Sequence, residues 1–197
     1  MKSILTILFI GLISQLATAQ FAETAEDICP LLIGEKIPNE SVKNMSGEEI
    51  NLTDAFEGKK AILVFYRGGW CPYCNRHLEA LQLLEEEAVA LGYKIIAVSP
   101  DAPNNLEETK NRNNLNYELV SDSNGKLTNA MGLAFKTSER QQKYIDQGSN
   151  GENPGYLPVP SLFVVNQESV IEFEYINPNY INRMSGDLLM SVLKSFK

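Results

Sequence analysis

The apolar run Ala61-Ile62-Leu63-Val64-Phe65-Tyr66 is followed, four residues on, by Trp70-Cys71-Pro72-Tyr73-Cys74. Six consecutive apolar residues are too few for a helix and predict a buried strand. Pro72 fits the first turn of a helix, where a missing N–H is not needed. Leu78, Leu81, Leu84, Ala88 and Leu91 then recur at three- and four-residue steps, which predicts a helix with one apolar face. Gly92 ends it. Two thiols therefore sit where a strand gives way to a helix. Free amides and the dipole at a helix start stabilise a thiolate. Such motifs depress cysteine pKa from about 8.5 to roughly 3.5–7.5.

The remaining pattern alternates strands with helices. Ser41–Leu52 reads as a short hairpin around Ser46-Gly47, and residues 54–58 as a turn. Lys94–Val98 predicts a second core strand, residues 103–113 a helix, and Tyr117–Val120 a short third strand nearer an edge. Asn124–Met131 predicts a helix closed by Gly132. Residues 135–158 are polar and read as an insertion, helical over Ser138–Asp146. Ser161–Val165 and the alternating Val170–Tyr175 predict a hairpin, and Asp187–Ser195 a closing helix. This order predicts an α/β layer fold, with helices on both faces of the sheet and the first two core strands parallel. The C-x-x-C then falls at the carboxyl end of a central strand, where open α/β sheets place their sites.

The first residues have another character. Met1-Lys2, an apolar stretch from Ile4 to Leu16, and Ala17-Thr18-Ala19 predict a secretory leader over 1–19, removed by cleavage. The apolar stretch is shorter than the roughly 20 residues a membrane span needs. No stable membrane insertion is expected after cleavage, and the mature chain is expected in the periplasm or outside the cell. Residues 20–40 read as an irregular lead-in, and 41–197 as the domain. The net charge of −8, without a basic run, argues against nucleic acid and anionic membrane as partners. A structural bridge across so tight a spacing would stabilise little, so Cys71 and Cys74 read as a catalytic pair. Cys29, between Ile28 and Pro30-Leu31-Leu32, reads as a packed thiol.

The order of parts resembles a thioredoxin-like fold with a central mixed sheet. More narrowly it resembles the peroxiredoxin-like branch of the alkyl hydroperoxide reductase / thiol-specific antioxidant family. The resemblance rests on Phe65-Tyr66-Arg67-Gly68-Gly69-Trp70-Cys71-Pro72-Tyr73-Cys74-Asn75, Ala97-Val98-Ser99-Pro100-Asp101 and Pro158–Asn166, and covers roughly residues 28–196. Counted on the family's pattern, Cys74 falls on the peroxidatic cysteine. Arg67 replaces its proline, Cys71 its Thr/Ser, and Pro160 its second arginine. The thioredoxin arrangement stands there instead, and it implies a cis-proline at Pro160, lying against the disulfide.

From its place before the helix Cys71 is the candidate nucleophile, with the more exposed sulfur, and Cys74 the resolving thiol. The peroxiredoxin count reverses that order. Arg67, Trp70, Pro72, Tyr73 and Pro160 are candidates for binding substrate or tuning the dithiol. The reading is an exported thiol oxidoreductase that acts on disulfides or hydroperoxides without a cofactor. A thioredoxin-like or membrane-bound donor would reduce it. The alternative is a non-catalytic thiolate site for copper or zinc. His77 shares a helix face with Cys74, but a tetrahedral site lacks a fourth ligand, and His77 reads as a surface histidine.

Overall fold

A computed structural model describes residues 21–196; the predicted leader lies outside them. The chain runs β1 (Ser41–Lys43), β2 (Glu49–Asn51), β3 (Lys60–Phe65), α1 (Pro72–Gln82), α2 (Glu85–Ala90), β4 (Tyr93–Ser99), α3 (Pro103–Arg112) and β5 (Glu118–Ser121). It continues with α4 (Lys126–Ala130), β6 (Ala134–Lys136), α5 (Glu139–Gly148), β7 (Tyr156–Pro158), β8 (Ser161–Val165), β9 (Ile171–Ile176) and α6 (Gly186–Ser195). Seven strands form one sheet in the order β2-β1-β5-β4-β3-β8-β9. The β3–β4 and β4–β5 pairs are parallel, whereas β8 and β9 add antiparallel. The sheet is mixed, as the sequence predicts.

Side-chain alternation along the central strands divides the core in two. Ile62 and Val64 of β3, Ile95 and Ala97 of β4, and Leu162 and Val164 of β8 pack on one face against α1, α3 and α6. Ala61, Leu63 and Phe65, with Ile96, Val98 and Phe163, face the other way. They meet Leu127 of α4 and Leu52 and Phe56 of a 3-10 turn. The strands read as continuous apolar runs because both of their faces are covered. Cys71 and Cys74 belong to the first of these two layers.

Several expectations change. The single helix predicted through Leu91 is two, because the chain turns at Leu83 and Leu84. The Leu84 amide bonds Leu81 O in a tighter turn, and Leu83, off the apolar face, is 86% exposed. The Tyr117–Val120 segment lies inside the sheet as β5, but the β1–β2 hairpin joins it through one register pair, Lys43 with Ser121. The insertion is more ordered than its composition suggests: β6 and β7 pair at its base and α5 spans its middle. The lead-in makes isolated bridges from Ala22 to Phe135 and from Lys36 to Val170. Within it Ile28 and Leu31 face the core while Cys29 is exposed, so this thiol is not packed as expected.

Candidate active site

β3 delivers the chain to a short loop, Tyr66–Trp70, at the edge of the core. The Tyr66 amide bonds Val98 O at 3.0 Å, so the loop leaves the sheet still tied to β4. Gly68 adopts φ +134, and a Cβ there would lie 2.5 Å from Trp70 Nε1 and 2.8 Å from Asp101 Oδ1. Gly69 is pinned from both sides. Its amide donates to Asp101 Oδ2 at 2.7 Å, and its carbonyl accepts from Arg112 Nη2 at 2.7 Å and Asn75 Nδ2 at 2.8 Å. Asn113 in turn donates to Asn75 at 3.0 Å. This loop is a rigid lead into the motif, fixed by α3 and by the end of β4.

Cys71 is the N-cap of α1 and Pro72 opens the helix, as expected from the missing proline donor. Both reactive residues are nearly closed off, with Cys71 at 1% and Cys74 at 0% exposure. The expected difference in exposure is therefore slight, because the loop and α5 cover the helix start. Chemistry separates the sulfurs instead. The Cys71 thiol is pulled down to about 6. The facing Cys74 thiol, which can donate to it, contributes most; the Cys74 and Tyr73 amides and the Arg67 charge add to that, against the opposing effect of burial. Burial pushes the Cys74 thiol well up, and its pairing with Cys71 adds to this. All three cysteines are free thiols.

Two buried or half-buried guanidinium groups address the pair. Arg67 Nη1 lies 4.0 Å from Cys71 Sγ, and Arg183 Nη2 lies 3.6 Å from Cys74 Sγ. Arg67 is 5% exposed, so it is no surface arginine. Its guanidinium carbon sits 4.2 Å from the centre of the Tyr180 ring and 5.0 Å from that of Trp70. Trp70 stacks on Tyr144 of α5 at 5.3 Å, and Tyr73 meets Tyr180 edge-on at 5.6 Å. Arg67, Trp70, Tyr73, Tyr144 and Tyr180 line a groove of about 430 Å³ over Cys71.

Pro160 is corrected in two respects. No peptide bond among the described residues is cis, so Val159–Pro160 is trans. Pro160 also lines a neighbouring hollow with Arg67 and Tyr180 rather than the Cys71 groove. The segment is fixed where it is by the Val159 amide on Leu133 O at 2.9 Å and by Asn177 on Pro160 O at 3.3 Å. His77 is buried rather than on the surface, and burial, with the Arg183 charge, holds it down at about 4. It is a neutral imidazole at physiological pH. Among the described residues no three His, Cys, Asp or Glu side chains gather as metal ligands.

Sequence reading missed Arg183, Tyr180, Tyr144 and Asp101. Arg183 lies 109 residues from Cys74, and no local pattern marks it. Asp101 stood inside a segment that carried the resemblance, yet its bond to the Gly69 amide is visible only in three dimensions.

A sequence profile of the AhpC/TSA family matches residues 33–174. The chain belongs to the AhpC/TSA family. Among curated relatives, "Peroxiredoxin Bcp" of Escherichia coli is 29% identical over 104 residues, covering 53% of this chain and 66% of that protein. The chain thus spans just under two thirds of that relative's length. "Thiol-disulfide oxidoreductase ResA" of Geobacillus thermodenitrificans is 27% identical over 129 residues, covering 65% of this chain and 73% of ResA. Among solved structures, reduced Prx3 of Vibrio vulnificus in complex with hydrogen peroxide superposes with a TM-score of 0.71 at 18% identity. That match covers 84% of this chain and 98% of Prx3. This AhpC/TSA chain therefore has the thioredoxin-like fold of peroxiredoxin structures, as its order of strands and helices implied.

Proposed function

We propose that this chain is a peroxiredoxin-type thiol oxidoreductase in which Cys71 attacks and Cys74 resolves. The observation that carries the reading is the division of the two sulfurs, with Cys71 drawn down to about 6 and Cys74 held well above its ordinary range. At neutral pH the first is a thiolate and the second keeps its proton, which is how a dithiol is poised to meet an oxidant. The position count of the family pattern favours Cys74 as first attacker. Its complete burial and raised pKa argue for Cys71.

With a hydroperoxide, the Cys71 thiolate takes the terminal oxygen and the O–O bond breaks. Cys71 becomes a sulfenic acid and the alkoxide leaves, protonated to the alcohol. Cys74 sulfur then attacks Cys71 sulfur, and water departs as the disulfide closes. With a disulfide substrate, Cys71 forms a mixed disulfide and releases one thiolate; Cys74 displaces the other and loses its proton. Similarity to peroxiredoxins supports the first route, and similarity to ResA the second. A thioredoxin-like or membrane-bound dithiol would return the enzyme to its reduced form. Export through residues 1–19 belongs to the same reading.

The test uses the full chain with Cys29→Ser, pre-reduced and mixed with one equivalent of hydrogen peroxide or of a small disulfide. A Cys71–Cys74 bond is expected by peptide mass spectrometry. Cys71→Ser should abolish both reactions, and Cys74→Ser should leave a dimedone-reactive sulfenic acid on Cys71. Undiminished turnover by the Cys71→Ser protein would overturn the assignment of roles. Indifference of the parent protein to both oxidants would overturn the function.

A further inference from the structure

The chain carries a net charge of −8, yet four of its five arginines lie at the C-x-x-C or on the groove above it, and the fifth holds the loop that leads into it. Arg67 and Arg183 face the two sulfurs, and Arg112 holds the Gly69 carbonyl. Arg76 stacks on Tyr73 at 4.7 Å, and Arg140 stands on the wall of the groove over Cys71. Six of the seven ion pairs among the described residues use lysine, and only Arg112 pairs with a carboxylate. Among the described residues no Asp or Glu lines the groove. Arg67 is the sharper case, because its Nε is buried without a hydrogen-bond partner among the described residues. A buried cation without a carboxylate is expensive unless an anion reaches it, and the Cys71 sulfur 4.0 Å away is the anion already within its reach.

Arg140 adds a second, independent observation. It sits in the first turn of α5, next to the capping box of Ser138 and Gln141. A cation there opposes the helix dipole, so helix stability does not account for it. It is exposed and forms no ion pair with a described residue, and it shares the groove with Trp70, Tyr73, Tyr144 and Tyr180. A volume of about 430 Å³ is within the range of small-molecule sites. Rings on the walls and guanidinium groups at floor and rim suit a flat, negatively charged organic molecule.

We infer that the groove selects small disulfides that bear a carboxylate, with Arg140 as the specificity-determining residue. This rests on the functional reading of Cys71 given above. The carboxylate is held by Arg140 at the rim while the S–S bond descends onto Cys71. The thiolate then displaces one half as a thiolate anion, and Cys74 displaces the other with release of its proton. The two electrons come from the enzyme dithiol.

The test compares the dianionic aromatic disulfide dithiobis(nitrobenzoate) with neutral dithiodipyridine, on the reduced Cys29→Ser protein. Rates are normalised to those of a free small thiol. The anionic-to-neutral ratio should exceed one by about threefold to fivefold, although the protein's net charge opposes the dianion. It should shrink as salt is raised. Arg140→Glu should bring it to one or below, whereas Lys126→Glu, on α4 across the sheet, should leave it unmoved. A ratio near one in the parent protein, or one that ignores Arg140→Glu, overturns the inference while the functional reading survives. Failure of Cys71 to react with either reagent overturns both.

Discussion

Arg67 Nη1 lies 4.0 Å from Cys71 Sγ while the guanidinium rests 4.2 Å from the centre of the Tyr180 ring. The charge is held in place by aromatic faces and not by a carboxylate. Among the described residues no carboxylate pairs with it, so its field is available to the sulfur.

Arg67→Met should therefore raise the Cys71 pKa from about 6 by roughly one unit. The measurement is the pH dependence of iodoacetamide alkylation in the Cys29→Ser background. In the parent protein the rate should climb as pH rises through about 6 and level off above it, because the thiolate is the reactive form. An identical midpoint in the Arg67→Met protein would show that the guanidinium does not act on the sulfur.

Trp70 is the only tryptophan, and it stacks on Tyr144 at 5.3 Å with an interplanar angle of 18°. Tyr144→Ala should uncover it. The expected result is a red-shifted emission and stronger iodide quenching, with a loss of about 0.5–1.5 kcal/mol from the ring pair. Unchanged emission would mean that α5 does not shield the indole.

A Cβ at Gly69 would sit 2.0 Å from Thr109 Oγ1 and 3.1 Å from Arg112 Nη2. Thr109 is itself buried, so it has little room to give. Gly69→Ala should destabilise the fold by about 1–3 kcal/mol and slow Cys71 alkylation, since it moves the loop that leads into the motif. Urea unfolding and alkylation rates check the two effects separately. A stable but sluggish variant would place the strain wholly in the loop.

Burial raises Asp101 from its ordinary 3.8 to about 6, and Asp122 likewise to about 6. Between these values the folded chain holds protons that the unfolded chain has released. Stability contributed by the protonated forms is thus present below about pH 4 and lost as pH rises through about 6. Asp101→Asn keeps an acceptor for the Gly69 amide and removes one of the two titrations. Relative to Asp101→Asn, the parent protein should lose urea midpoint on going from pH 4.5 to pH 7 (about the limits of that window), while His77, held down at about 4, acts with the opposite sign and equally in both proteins. An equal difference in both proteins would assign the effect elsewhere.

The layers were legible because each central strand is a continuous apolar run, and because Pro72 and Gly92 punctuate the region between the first two of them. The motif itself was legible from Cys71 and Cys74 alone. What escaped depended on burial and on distant partners. Cys29 and His77 have ordinary neighbours in sequence, and only packing decides that one faces water while the other does not. The break at Leu84 escaped because its leucines keep a helical period across the turn. Arg183 and Tyr180 approach the motif from the far end of the chain, and no spacing rule links positions so remote. The trans bond before Pro160 contradicts an expectation drawn from resemblance, where backbone bonds to Leu133 and Asn177 fix the local path.

The two short strands at the base of the insertion bring Lys136 and Tyr156 face to face in their own small sheet. The residues between them share no strand with the seven-stranded platform; they meet it through the Ala102 amide on Gly148 O, the Lys43–Glu152 ion pair and the Trp70–Tyr144 stack. The segment that roofs the reactive sulfur thus stands outside the sheet that positions it, and a different roof on the same platform would give the same chemistry a new clientele.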